Sequence, residues 1–233
     1  GMQDFDPNVQ KRVNRIQPAE LFKKILTKNV RKAYKTIAFD LLIGQPGQTT
    51  ETMAKTCDEL IEIKPTLVQL SLMAYKPWVA KYQIRMLEEG PLPDFLERKE
   101  LLAVIHKKLQ AAGYIRTGFE CYSLPDDPMT KAFKEGTAHY GASGHQTGGR
   151  VNFIAVGSSA ASNLGDDYYA QNFYDLHSYK KCLDKGELPA FRGMKLSEDD
   201  KIRQYITQQL RSYFRIDFKE FKINFKINPK EYF

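Results

Sequence analysis

The sequence predicts an α/β protein with a mainly parallel sheet covered by helices, and three observations carry that prediction. From Pro18 onward, segments with apolar residues at three- and four-residue steps alternate with short apolar, β-rich runs bounded by Gly or Pro. Those runs read as apolar on both faces, as strands do when helices pack on each side of a parallel sheet. The chain of 233 residues, 42% apolar and 27% charged with 15 Gly and 11 Pro, excludes collagen-like, low-complexity and strongly disordered classes. Barrels of alternating strands and helices reach this length as one unit.

Leu21, Phe22, Ile25, Leu26, Val30 and Ala33 recur at helical spacing with lysines between them, which predicts one amphipathic helix after Pro18. Residues 36–43 form the first buried strand, and the Gly/Pro turn at 44–48 leads to a helix from Thr49 to about Ile63 with a threonine N-cap. Pro65 breaks that helix, and residues 67–75 read as the next strand. Residues 76–93, with Trp78 and the Gly90-Pro91-Leu92-Pro93 cluster, form a long irregular connection of the kind that often bears function. A helix over 94–112 closes at Gly113, residues 114–122 are strand-like, and 126–135 form a short polar helix. A glycine-rich loop over 136–149 leads into another buried strand at 151–156. Residues 174–184 are helical, and Ser197-Glu198-Asp199-Asp200 caps a helix with Ile202, Ile206, Leu210 and Phe214 on one face. Near the end, Phe221, Ile223, Phe225 and Ile227 alternate with polar residues as an apolar stripe that needs a partner. Asn228-Pro229 is a good helix start with too little chain after it to sustain a helix. Both ends read as cut, because Gln3-Asp4-Phe5 resembles the mouth of a strand whose body is missing.

Charge and cysteine usage narrow the function classes. The balance of 35 Lys and Arg against 28 Asp and Glu, a net +7, favours anionic partners. The basic residues are interleaved with acidic ones along helices, and no RNP motif, zinc finger or basic arm is present, so a nucleic-acid partner is not expected. No apolar run approaches the roughly 20 residues of a membrane span, and the start carries no basic-then-apolar leader. A cytoplasmic location without a membrane partner is therefore expected. Cys57, Cys121 and Cys182 are an odd, widely spaced set that suits neither a disulfide framework nor a metal motif. No metal ligand is assigned, and all three read as small packed side chains.

Gly44-Gln45-Pro46-Gly47-Gln48-Thr49 superficially suggests a phosphate loop, but it lacks the lysine and the Gly-x-Gly-x-x-Gly spacing. It reads as a tight strand-to-helix turn at the carboxyl end of a strand, where α/β proteins bind ligands. Asp40 lies within the preceding apolar run, and a carboxylate on a buried strand needs a partner. That partner is either a ligand's amine, hydroxyl or cationic centre, or an internal arginine or backbone amide.

These motifs occur in the order of a known family. The stretch GMQDFDPNVQ followed by Val13-Asn14-Arg15-Ile16-Gln17 resembles the G-V-Q-D-F-x-x-x-V-Q-x-x-V-N-R-x-Q of the oxygen-independent coproporphyrinogen III oxidases. Residues 39–49 resemble the family's I-D-L-I-Y-G-L-P-x-Q-T, and Leu124-Pro125-Asp126-Asp127 its R-P-D-D. Gly157-Ser158-Ser159-Ala160-Ala161-Ser162 and Tyr169-Ala170-Gln171-Asn172 are similar to its G-V-S-A-I-S and Y-A-Q-N, and Arg192-Gly193-Met194-Lys195-Leu196 and Phe214-Arg215-Ile216-Asp217 complete the series.

The resemblance implies part of an open (β/α)6 radical S-adenosylmethionine barrel over 1–196 with substrate-side loops, and the start of a truncated helical C-terminal domain over 197–233. It implies an oxidoreductase of haem biosynthesis. In that chemistry a [4Fe–4S] cluster cleaves S-adenosylmethionine, a 5′-deoxyadenosyl radical attacks two propionates of coproporphyrinogen III, and decarboxylation to vinyls gives protoporphyrinogen IX. The family binds two molecules of S-adenosylmethionine, and its full-length form is expected as a monomer. Gln3, Arg15, Asp40 and Ala161 fall on the family's S-adenosylmethionine contacts, with Ala161 where isoleucine is usual. No catalytic residue is assigned.

The family's Cys-x-x-x-Cys-x-x-Cys precedes the first of these motifs, so this chain alone is expected to be inactive without that cluster-binding region. Lys76, Ala142 and His145 depart from the family near its ligand-facing loops, at a small residue and two ring positions. Two alternatives remain: a haem-binding or haem-handling paralogue, and a non-functional truncated gene product.

Overall fold

The strongest local signals, helix caps and the turn after the first strand, locate the elements of the structure, a computed structural model that describes residues 2–141, 144–148, 152–165 and 167–232, without the side chain of Tyr82. Ala142 and Val151 lie outside the described residues. Two units, Gly1–Gly136 and Thr137–Phe233, divide the chain.

In the first unit, α1 (Pro7–Arg12) starts with proline at its first turn, and the Asp6 carboxylate accepts from the Asn8 and Val9 N–H groups. The helix predicted after Pro18 is two helices, α2 (Ala19–Ile25) and α3 (Lys28–Ala33). The break falls where Leu26 leaves helical geometry and the Thr27 hydroxyl caps α3 through the Val30 N–H. Next come β1 (Ala38–Ile43), α4 (Thr50–Ile63) and β2 (Leu67–Leu72). Thr49 and Thr52 form a reciprocal capping box on α4, and Lys64 ends it in the left-handed region. The irregular connection contains a 3-10 turn at Lys81–Gln83 that runs into α5 (Ile84–Glu88). Helix α6 (Phe95–Ala111) is capped by Asp94 and Glu97, and α7 (Pro128–Lys134) by Asp127.

The strand expected over 114–122 is a hairpin, β3 (Ile115–Gly118) and β4 (Cys121–Ser123), with a register shift between Arg116 and Gly118. The sheet order is β1-β2-β4-β3, with β1 parallel to β2 and the other pairs antiparallel. The sheet is thus mixed rather than mainly parallel, because the chain reverses directly after β3 instead of crossing over through a helix. Strand β1 is also not apolar on both faces. Phe39, Leu41 and Ile43 are buried, whereas Ala38 and Asp40 are exposed. The buried face packs with Met53 and Leu60 of α4 and Leu101, Ile105 and Leu109 of α6 into one core.

In the second unit, the expected glycine-rich loop contains a hairpin, β5 (His139–Gly141) and β6 (Gly144–Gln146). The buried strand expected at 151–156 is absent among the described residues. Phe153 makes a single bridge to Asn163, while Ile154 and Val156 are 75% and 88% exposed, since no covering layer meets them within this unit's core. The main sheet is antiparallel and was not anticipated: β7 (Ala161–Leu164), β8 (Tyr168–Asn172) and β9 (Ala190–Lys195), with α8 (Leu176–Asp184) between the last two. Helix α9 (Glu198–Tyr213) begins at the predicted Ser197 capping box with Asp200.

The apolar stripe near the end is helical, not extended. In α10 (Phe218–Phe225) the four-residue step places Phe221 and Phe225 on one face, where they pack with Tyr205 of α9, while Ile223 is exposed. Asn228-Pro229 does start a helix, the single turn α11 (Pro229–Tyr232), steadied by the ring of Tyr232 against Phe221. The sequence boundary between 196 and 197 falls in this unit, between β9 and α9.

Candidate functional site

At the carboxyl end of β1 the N-terminal segment lies alongside the strand, with the Leu42 N–H donating to the Gln3 carbonyl at 2.9 Å. The side chain of Asp4, 3% exposed, accepts from the Thr56 hydroxyl at 2.7 Å, the Gln48 amide at 2.6 Å and the Asp6 N–H at 2.8 Å. Burial pushes the Asp4 carboxyl above its ordinary value, against the lowering effect of those three donors. Gln48 ties the turn together: its Oε1 accepts from the Gly44 and Gln45 N–H groups, and its Nε2 donates to Asp4 and to the Leu42 carbonyl. The Gly44 and Gln45 amides are therefore spent internally, which argues against a phosphate loop.

A second glutamine orders the other wall. The Gln10 amide donates to the Asp4 and Gln17 carbonyls and accepts from the Gln17 N–H. The Arg15 N–H donates to the Gln10 carbonyl, and its Nε to Gln17 Oε1 at 3.0 Å. This framework holds Gln3 and Arg15 on one cleft of about 890 Å³, whose wall also includes Arg12, Leu42, Gln45 and Glu89. Arg12 is folded over Gly47, where an added Cβ would lie 3.1 Å from its guanidinium.

The sequence-assigned residues are thus only partly brought together. Gln3 and Arg15 share the cleft. Asp40 stands on β1 two residues before Leu42 and on the same strand face, but it is exposed and its carboxylate accepts no hydrogen bond among the described residues. The expectation that Asp40 is buried is corrected: strand alternation turns it away from the core formed by Phe39 and Leu41.

Ala161 lies in the second unit at the start of β7, on a separate cavity of about 560 Å³ lined by Tyr140, Phe153, Asn163, Tyr169 and Met194 among others. Lys76 is exposed, with its backbone N–H bound to Gln83 Oε1. His145 is buried on β6, its ring against Tyr140 and its Nε2 3.2 Å from the Arg211 carbonyl. Ala142 is outside the described residues.

The residues of this chain do not fit an iron–sulfur cluster. Among the described residues no group of three His, Cys, Asp or Glu side chains converges. Burial pushes the Cys57 thiol up to about 12 and Cys121 to about 11, the reverse of what thiolate ligation needs. Amide and guanidinium groups at Gln3 and Arg15 do suit a polar, carboxylate-bearing ligand such as S-adenosylmethionine. Sequence reasoning quoted Asp4, Gln10 and Gln48 within motifs without assigning them roles. The available signal was a pair of glutamines, Gln45 and Gln48, within one tight turn.

No protein-family model matches the chain. Over all 233 residues it is 35% identical to the oxygen-independent coproporphyrinogen III oxidase of Pseudomonas aeruginosa and 32% identical to that of Helicobacter pylori, covering 50% of each. The chain therefore spans about half the length of the curated relatives it matches. Among solved structures it is similar to the coproporphyrinogen III oxidase of Escherichia coli, described as a radical SAM enzyme, with a TM-score of 0.89 and 30% identity over the whole chain and 53% of that protein.

Proposed function

We propose that this chain, similar over its full length to the oxygen-independent coproporphyrinogen III oxidases, forms part of a radical S-adenosylmethionine enzyme of haem biosynthesis, acting in the cytoplasm on coproporphyrinogen III. On this reading residues 1–196 belong to an open (β/α)6 barrel and 197–233 begin a helical C-terminal domain. Each of two propionates loses a hydrogen atom, then carbon dioxide, and passes one electron to an external one-electron acceptor to become a vinyl group. S-adenosylmethionine, when bound, supplies the group that takes the hydrogen. The chain's own residues bind and orient: Gln3 offers an amide to polar edges of the ligand, and Arg15, braced by Gln17, offers a guanidinium to a carboxylate. Asp40, exposed on the face of β1 that carries Leu42, accepts from an amine or hydroxyl. Ala161 contributes small surface in the second unit.

The observation that carries this reading is a match over the full chain that coincides with a cleft built from the matched motifs. The 233 residues hold no Cys-x-x-x-Cys-x-x-Cys motif, and on this reading the polypeptide alone is inactive. Calorimetric titration with S-adenosylmethionine should show binding that Arg15→Ala weakens by roughly tenfold, the scale of one charge-assisted hydrogen bond. After anaerobic treatment with iron and sulfide, 5′-deoxyadenosine release should be negligible. Robust release would overturn the inactivity, and stoichiometric haem binding without S-adenosylmethionine binding would favour a haem-handling role instead.

A further inference from the structure

Two polar side chains on the Gln3–Arg15 cleft have no use in the fold. Gln45 is 1% exposed, and its terminal amide oxygen is buried with no hydrogen-bond partner among the described residues. A buried, unpaired amide oxygen is destabilising, and such groups in folded proteins call for an explanation. The turn does not supply one, because its N–H groups are bound by Gln48 rather than by Gln45. Nor does the fold require a polar group at this position, since the resembling family stretch carries leucine there. Arg12 is half-buried on the same cleft and is folded against two glycines, so that an added Cβ would lie 3.1 Å from it at Gly47 and 2.9 Å at Gly90. Its guanidinium has no acceptor among the described residues. Aligned there by backbone that has no side chain to displace it, it is positioned for an anionic group.

We propose that Gln45 and Arg12 are further ligand-binding residues of this cleft, Gln45 accepting from an amine or hydroxyl and Arg12 holding a carboxylate, so that together they select a ligand with an α-amino-acid end. The assignment rests on the reading of the cleft as the S-adenosylmethionine site and deepens it. The orphaned oxygen then gains its donor only in the complex, and its cost in the free protein is offset on binding.

The test titrates the 233-residue chain with S-adenosylmethionine and with 5′-methylthioadenosine, which keeps the nucleoside and lacks the amino-acid end. Gln45→Leu should weaken S-adenosylmethionine binding by roughly three- to tenfold, the scale of one hydrogen bond. It should leave 5′-methylthioadenosine unchanged and raise the Tm of the free protein, since an orphaned polar group has been removed. Arg12→Leu should weaken S-adenosylmethionine by about tenfold or more and likewise spare the truncated ligand. Wild-type affinity in both variants, or a lowered Tm for Gln45→Leu, overturns the assignment while leaving the cofactor reading intact. Failure of the unaltered chain to bind S-adenosylmethionine overturns both.

Discussion

The two units of this chain are built on different principles. The first has a continuous core in which β1, α4 and α6 contribute fully buried side chains such as Leu41, Leu60 and Ile105. Among the described residues of the second, Ile202, Tyr205 and Phe221 form a buried apolar cluster beside an antiparallel sheet whose strand β9 is exposed along its whole length. Polar chemistry follows the same division. In the first unit buried amides and a carboxylate form a closed network around one turn, whereas β7 and β8 of the second expose or half-bury their polar residues. A network of that kind persists only where a large core excludes water around it. The difference lies in how the buried polar groups are linked: in the first unit Gln48 and Thr56 both bond to Asp4, whereas Gln208 of the second bonds the backbone at Ala138 and Tyr140.

The contrast is open to attack by substitution, starting with the largest effect. Phe221→Ala should cost about 3–5 kcal/mol at the centre of the cluster that joins α9 and α10, so urea denaturation should show early loss of those helices. Leu60→Ala should cost about 2–5 kcal/mol and be tolerated as a shifted but still cooperative transition, because the core around it is larger. A Phe221 variant as stable as the wild type would remove the contrast. Gln48→Ala strips the acceptor from the Gly44 and Gln45 amides and one donor from Asp4, with an expected loss of about 1–3 kcal/mol and faster hydrogen exchange at those two amides.

Asp4 sharpens the comparison through pH. Its folded carboxyl lies above the ordinary 3.8 because burial disfavours the charge, so the native state binds the proton more tightly than the unfolded chain. The stability of the wild type relative to Asp4→Asn should therefore rise as pH falls through the raised value and level off below 3.8. Chemical denaturation of both proteins between pH 7 and pH 3 measures it, and a difference that falls over this range would refute a buried, partly destabilised carboxylate. The smallest effect is expected at the caps: Thr49→Ala on α4 and Ser197→Ala on α9 should each cost about 0.5–2 kcal/mol, read as a modest drop in the urea midpoint.

What could be read from the amino acids alone followed the range of the interaction. Thr49 and Ser197 announced their helices because a cap is satisfied within three residues. The turn at 44–48 was legible for the same reason, and the ordered motifs pointed to the cleft that Gln3 and Arg15 line. The misreadings needed partners far along the chain. Residues 114–122 became a hairpin because β4 pairs with β2, some fifty residues earlier, and that pairing leaves no periodic mark. Alternation over Phe221 to Ile227 suits either a strand or an irregular amphipathic helix, and Tyr205 decided for the helix by offering a ring surface to Phe221 and Phe225. Asp40 was misjudged because an apolar neighbourhood in sequence does not say which face of a strand is covered.

The sequence by itself determined the capped starts of α4 and α9, the strand-to-helix turn, the absence of a cluster-binding cysteine motif from these residues and the family to which the motifs point. These depend on residue chemistry and spacing within a few positions. Tertiary structure alone decided that the sheet is mixed, that Asp4 and Gln48 lock the turn while Gln10 orders the adjoining wall, and that the oxygen of Gln45 is buried without a partner among the described residues. Burial and hydrogen-bond satisfaction are properties of the whole packed chain, since water is excluded only by groups that meet from distant positions.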